Sequence, residues 1–466
     1  MNVTDALVGW SMSATSGELM PEILAHAKLV LADSLCCMIG GSRTEIGDAL
    51  LRFLPKSDPE SGAVILGTDR RVDPGHAAFA NATLANALDF DDCQYEQNGN
   101  SLSHPSATLV GTAISASAIR PISGRDFLTA LVVGYEACAR IGESIQPSPE
   151  VYVRHWGFGH FNVFGSVLVA SRILGLDLET ARHAFGIAGV ATNPPSAWQW
   201  NWEDRSLPLS WMKDMVGWPS ESGLRAARLA QSGFRGCLRI LDGEYPWWRM
   251  IGSDRFDPTR ITDDLGQANR VGNIAFKPYP CCRWIHSILD AFLEVFHASG
   301  LTPEDIAEVE VFTLSELANH MSVPDPKSMV DAEFSVPYAI AMAALGIPVG
   351  PQWHDQGLRL SQKTTGLTSR VRVIALEELD RNYFENHRLA AKVVLKGKDG
   401  RAWKGECPQA SGGRDRPMSR EQHLNKFVQL VDPVLGAGSA MKLFGFTQAC
   451  EKAADFYREL VPLVSC

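Results

Sequence analysis

The sequence has no C-x-x-C spacing among its ten cysteines, although Cys36-Cys37 and Cys281-Cys282 stand as adjacent pairs. That argues against a zinc site or a disulfide framework and for buried or site thiols in a reducing cytosol. There is no excess of basic residues either. Lys and Arg number 43 against 53 Asp and Glu, a net charge of −10, so no global basic field exists to attract nucleic acid or an anionic membrane. A few local cations would still suffice for an anionic small molecule. Long apolar runs are scarce. The first, Leu29–Gly40, is interrupted by Asp33, and uncharged stretches such as Ser101–Ile119 are rich in Ser, Thr, Gly and Pro. Neither a secretory leader nor a membrane span is expected, and a cytoplasmic location is.

What is present is an ordinary globular composition, 45% hydrophobic and 21% charged, in a chain of 466 residues, too long for one ordinary core. Apolar residues recur at helical spacing through Pro21–Ile39, Phe127–Ile145, Gly165–Leu174 and Leu178–Ala188. Convincing strand alternation is absent there, so residues 1–269 read as a helical domain. After that the pattern changes. Thr302-Pro303-Glu304-Asp305 reads as a helix start, and Glu308–Phe312 and Arg370–Val373 alternate as half-buried strands. Lys392–Lys396 and Arg401–Glu406 flank Asp399-Gly400, a hairpin turn, while Ile285–Ala298 and Ser335–Leu345 read as helices. Residues 270–410 are thus expected to form a smaller α+β domain. Ser419 with Gln422 forms a capping box and Phe446–Leu460 reads as an amphipathic helix. Residues 411–466 are expected to return to the helical domain, making the fold mainly α with a discontinuous helical bundle.

Five clusters carry candidate chemistry. Asn86-Ala-Leu-Asp89-Phe-Asp91-Asp92 precedes His104-Pro105-Ser106. Its acids read as a solvated helix end, with Asp89 and Asp92 on one face. Arg154–Asn162 sets His155 and His160 among glycines and aromatics, a pocket wall suited to proton transfer. Trp211–Trp218, preceded by Trp198, Trp200 and Trp202, encloses Lys213 among tryptophans. Phe276–His286 brackets two prolines with Lys277 and Arg283 ahead of a helix N-terminus, which favours anions. Asp331–Tyr338 places Ser335 and Tyr338 at helix-face spacing.

The lysine loop followed by DAEFSVPYAIAMAALG resembles the MmgE/PrpD family, as do ALDFDD…HPS and KDMVGWPSESGLRAARLA, in the same order. The resemblance runs from about Ala6 to Phe427. It implies a homodimer with a large helical and a smaller α+β domain, and a site between them using no metal and no organic cofactor. Members include 2-methylcitrate dehydratase, cis-aconitate decarboxylase and iminodisuccinate epimerase. Carried over by position, the matching residues are Asp89, His104, Lys213, Lys277, Ser335 and Tyr338. Three departures stand out: Gly159 and Val216 occupy places where relatives tend to have histidine, and the span from Asp89 to His104 is long.

The implied chemistry removes a group beside a carboxylate, which builds charge that cations must stabilise. Lys213 and Lys277 are expected to clamp carboxylates and Asp89 and His104 to move protons, with Tyr338 or His160 donating to the leaving group. Ser335, Arg283, Cys93 and Trp211 are the expected substrate contacts. The leading expectation is dehydration of a hydroxylated di- or tricarboxylate of the 2-methylcitrate type. With fewer cations and many tryptophans, the substrate is expected to carry less charge or a bulkier apolar group. Decarboxylation of the cis-aconitate type and epimerisation share the same carbanion-like state. A degraded member that only binds, and a metal hydrolase on Asp91, Asp92 and His104, are the rivals from other classes.

Overall fold

The computed structural model describes residues 2–55, 62–94, 103–154, 158–191, 201, 204, 206–214, 216–267 and 270–465. Among the described residues the protein is mainly helical with one sheet of four strands and two short two-stranded ladders.

Small residues dictate the packing of the first half. The helix Pro74–Asn86 (PGHAAFANATLAN) starts with proline in its first turn, and the Asp73 side chain accepts the Gly75 N–H at 2.8 Å. It crosses the helices Pro21–Gly41, Pro105–Ile119 and Gly217–Gln231 closely. Gly41 lies so near the Leu84 carbonyl that a Cβ there would collide with it. Pro21–Gly41 is long and apolar enough to cross a membrane, yet 72% of its window is buried, the environment of a core helix. From the far end of the chain, Arg420–Leu435 packs on it, starting at the expected Ser419–Gln422 capping box.

The four-stranded sheet has the order Val371–Ala375, Ile306–Thr313, Ala391–Gly397, Ala402–Cys407. The first pair is parallel and the others antiparallel, with Val309 opposite Val371 and Val393 opposite Gly405. Ala391–Gly397 alternates buried and half-buried side chains, and the helix His286–Ser299 covers one sheet face. A parallel pair needs a long crossover. Here it spans residues 314–370 and holds the helices Met329–Glu333 and Val336–Ala344.

Several sequence expectations change. Pro303–Asp305 is one 3₁₀ turn, because the strand begins at Ile306. The tail is two helices, Ser439–Ala449 and Phe456–Val464, broken by the turn at Cys450–Lys452. The first half does contain short strands: Ala63–Val64 pairs with Arg71–Val72, and Cys93–Gln94 pairs with Ile274–Ala275.

Candidate functional site

That last ladder builds the site. Cys93 lies opposite Ala275, so the segment carrying Asp89 runs beside the one carrying Lys277. Gly412 holds the second strand from behind: Phe276 N–H donates to its carbonyl at 3.0 Å, and Gly412 has φ +93° and no room for a Cβ beside the Phe276 carbonyl.

The helix Pro74–Asn86 ends before the acids, so Asp89 and Asp92 do not share a helix face. Asp89 instead adopts φ 47°, a left-handed conformation that turns the chain inward. Asp89, Asp91 and Asp92 are all buried, so the sequence reading of a solvated helix end is corrected. Asp89 Oδ1 lies 2.9 Å from Lys277 Nζ and 3.2 Å from Lys213 Nζ, and Lys277 also donates to the Asp89 carbonyl at 3.0 Å. Burial alone would raise the Asp89 pKa, but Lys213, Lys277 and His104 together hold its carboxyl well below the usual carboxylate range. Burial likewise disfavours charge on the lysines, but Asp89 together with Glu333 and Asp214 at Lys213, and with Asp91 at Lys277, keeps both above the usual lysine range. Lys213 is therefore a fixed buried cation, not a snorkelling side chain. Glu333 Oε2 reaches Lys213 at 2.6 Å, yet burial pushes the Glu333 carboxyl up to about 8. Of the two carboxylates at Lys213, Asp89 is the one that stays ionised.

His104 caps the helix Pro105–Ile119 and faces this pair. Its Nδ1 lies 2.8 Å from the Asp92 carbonyl and 3.3 Å from Asp91, and its Nε2 3.8 Å from Asp214. The Asp92 carbonyl requires a proton on Nδ1. Burial opposes charge on the ring, but Asp91 and Asp214 outweigh it and raise the pKa to about 8. Asp92 is pushed up to about 8 by burial, against the hydrogen bond it accepts from Ser106, which in turn accepts from Tyr135.

The remaining candidates sit at the margins or in structural roles. Cys93 belongs to the ladder, and Trp211 lines a small pocket with Asn86, Lys213 and Val216. Ser335 caps the helix Val336–Ala344, accepting from Tyr338 N–H at 3.1 Å and donating to the Val323 carbonyl at 2.5 Å. Tyr338 donates to the Trp353 carbonyl at 2.6 Å, and burial raises its pKa above the usual phenol range. Arg283 donates to the carbonyls of Ser411 and Ala410 at 2.5 and 3.3 Å, stapling the chain that carries Gly412. His160 packs on Trp247 at 5.5 Å, within an aromatic cluster containing Phe164. Gly159 is near the Asp214 carbonyl, whereas Val216 is core. His155, Trp156, Trp198, Trp200 and Trp202 lie outside the described residues.

Sequence reasoning passed over Asp214 (next to Lys213), Glu333 (two residues from Ser335) and Lys426. Lys426 donates to Asp33 Oδ1 and the Phe90 carbonyl at 2.6 Å each and to the Lys277 carbonyl at 3.3 Å. It thereby ties the two site segments to the helix Pro21–Gly41. Only the lone Lys in an amphipathic helix hinted at it. For a metal, Asp89, His104 and Asp214 offer donor atoms within 4.8 Å of one another. Two ammonium groups already sit on Asp89 Oδ1, so an added divalent ion would face fixed positive charge, and the residues fit a metal poorly.

The chain is similar to cis-aconitate decarboxylase-like protein oryM of Aspergillus oryzae, 23% identical with 100% of this chain and 97% of that protein aligned. It is also similar to cis-aconitate decarboxylase of Mus musculus, 25% identical over 97% and 92%, and of Homo sapiens, 25% identical over 94% and 90%. The MmgE/PrpD N-terminal domain matches residues 5–259 and the MmgE/PrpD C-terminal domain residues 279–444. With both halves of the family matched in order across most of its length, the chain belongs to the MmgE/PrpD family.

Proposed function

We propose that this chain is a lyase acting at the carbon beside a carboxylate of a di- or tricarboxylate, and that it decarboxylates an acid of the cis-aconitate type. The observation that carries the reading is the balance of the buried set. It offers cations and acids: Lys213 and Lys277 both against Asp89 Oδ1, His104 raised to about 8, and Glu333 raised to about 8. The carboxylate held by both lysines, Asp89, is far too acidic to be a strong base.

Decarboxylation needs that combination. The bond between the carbon and its carboxylate breaks, carbon dioxide leaves, and the electron pair stays on carbon, spread into the neighbouring double bond or carboxylate. Lys213 and Lys277 stabilise the negative charge, and loss of one such donor costs roughly 3–4 kcal/mol of barrier. His104, its Nδ1–H spent on the Asp92 carbonyl, gives its Nε2 proton to the carbon. Solvent returns that proton. The relatives named cis-aconitate decarboxylase support the same reading.

Dehydration of a 2-methylcitrate-like acid is the second reading. It is favoured by Asp89 Oδ2, which has no hydrogen-bond partner among the described residues and is placed to take a proton. His104 would then protonate the departing hydroxide. Turnover of a carboxylate panel in heavy water separates the two. Decarboxylation gives carbon dioxide and one deuterium at either end of the system that carried the freed electron pair, whereas dehydration gives an alkene lighter by one water. No product from any carboxylate overturns both.

A further inference from the structure

The crossover between the parallel strands carries two polar side chains that the chemistry above leaves unused. His354 ends the 3₁₀ segment Pro351–His354, and Arg359 ends the short helix Gln356–Arg359 that follows. Both are more than nine-tenths buried, His354 at 8% and Arg359 at 4% exposure. Arg359 Nε and Nη1 have no hydrogen-bond partner among the described residues, and neither has either ring nitrogen of His354. Native proteins rarely bury a guanidinium without an acceptor, because its lost hydration is not replaced.

Their position gives the orphaned groups a purpose. The helix Met329–Glu333, whose last residue reaches Lys213, packs on the His354 segment. The Trp353 carbonyl, next to His354, accepts the Tyr338 hydroxyl at 2.6 Å. The His354 ring approaches the Leu88 backbone, beside Asp89, without forming a hydrogen bond of normal geometry. Burial, then Lys213, with Arg359 adding to it, pushes the His354 pKa down to about 4. The imidazole is therefore neutral at pH 7 and keeps one N–H to donate. The Arg359 charge acts on Tyr338 as well, which sets it on the same side of the crossover.

We propose that Arg359, with His354 beside it, binds a second carboxylate of the substrate, remote from the carbon that reacts. The planar fork of an arginine matches a carboxylate in two parallel hydrogen bonds, and this one has donors to spare. Lys213 and Lys277 already hold Asp89, so they suit the reacting carboxylate and its developing charge. Arg359 and His354 supply the separate docking point that distinguishes a di- or tricarboxylate from a monocarboxylate. This assignment rests on the lyase reading.

Calorimetric titration of the whole chain with tricarballylate and with butyrate tests it. Arg359→Met should weaken tricarballylate by about 30-fold or more, the scale of losing one buried charged partner, with butyrate changed less than about twofold. Arg359→Lys should recover part of the loss. Should Arg359→Met fail to fold by circular dichroism, Arg359→Lys alone is expected to lower the tricarballylate-to-butyrate ratio by about tenfold. A folded variant with an unchanged ratio overturns the subsite. So does an equal loss for both probes, which marks general damage. If the ratio falls while the wild type turns over no carboxylate, the subsite stands and the lyase reading fails. Turnover with an unmoved ratio is the reverse.

Discussion

Two buried lysine centres lie back to back in this molecule and differ in how completely they are satisfied. Lys426 gives its three protons to Asp33, the Phe90 carbonyl and the Lys277 carbonyl, and lies 4.2 Å over the Phe90 ring, leaving Asp33 Oδ2 as the one side-chain oxygen of its partners without a hydrogen-bond partner among the described residues. Lys213 is equally buried, but it meets Asp89 and Glu333 at ion-pair distance without hydrogen-bond geometry. Around it, Asp89 Oδ2, Asp214 Oδ2 and both Glu333 oxygens lack hydrogen-bond partners among the described residues. A nearly closed network rigidifies, whereas a more open one keeps polar capacity for a ligand. The same residue types therefore form a fastener in one place and an open polar set in another.

The largest expected effect lies at the fastener. Lys426→Met leaves Asp33 buried and uncompensated and should cost about 3–5 kcal/mol of unfolding free energy. Replacing Asp33 and Lys426 together by leucine should restore most of it, as read by denaturant midpoints. Next, Lys277→Met should cut turnover at least about 10²-fold, the scale of one charge-stabilising donor, with the fold intact by circular dichroism. If Lys277→Met unfolds the chain while Lys426→Met only slows it, the comparison is the wrong way round.

The pH dependence comes third. In the proposed reaction His104 is the acid only while protonated, so the rate should fall about tenfold per pH unit above about 8 and be flat below it. Stability follows the same sign. His104, Glu333 and Asp92 all have folded pKa values raised to about 8, so the folded chain holds more protons than the unfolded one in this range. Stability should decline as pH rises toward and through about 8, seen as a falling melting temperature. A melting temperature that climbs from pH 6.5 to 9 would break the assignment. The smallest effect is expected from chelation: activity should survive prolonged EDTA. Loss on chelation with recovery on adding Zn²⁺, Mg²⁺ or Fe²⁺ would favour the metal-hydrolase alternative.

Much of the architecture was legible because it rests on local signals. Helical spacing in Pro21–Gly41 and Gly124–Ser144, alternation in Ile306–Thr313 and the Asp399-Gly400 turn all carry their structure within a few residues. The short ladder of Cys93–Gln94 with Ile274–Ala275 was not legible, because two residues per strand leave no period to read. Yet that ladder is what brings Lys277 to Asp89. Lys213, Lys277, Asp89 and His104 were named as candidates from the sequence, and the structure gathers them in one buried set. Their burial was not visible, since three acids in four residues read as solvated until distant lysines are brought against them. Arg359 and His354 were missed because neither stands in a cluster. If they bind substrate as proposed, they weigh against the expectation of a less charged substrate, which rested on Gly159 and Val216 in place of histidines and on the tryptophans around Lys213.

Carbon dioxide release from cis-aconitate, followed by mass spectrometry for the wild type and Lys277→Met, tests the central claim most directly. The account predicts one carbon dioxide per substrate consumed, at least about 10²-fold slower in the variant. Water loss in place of carbon dioxide, or equal rates in the two proteins, would contradict it.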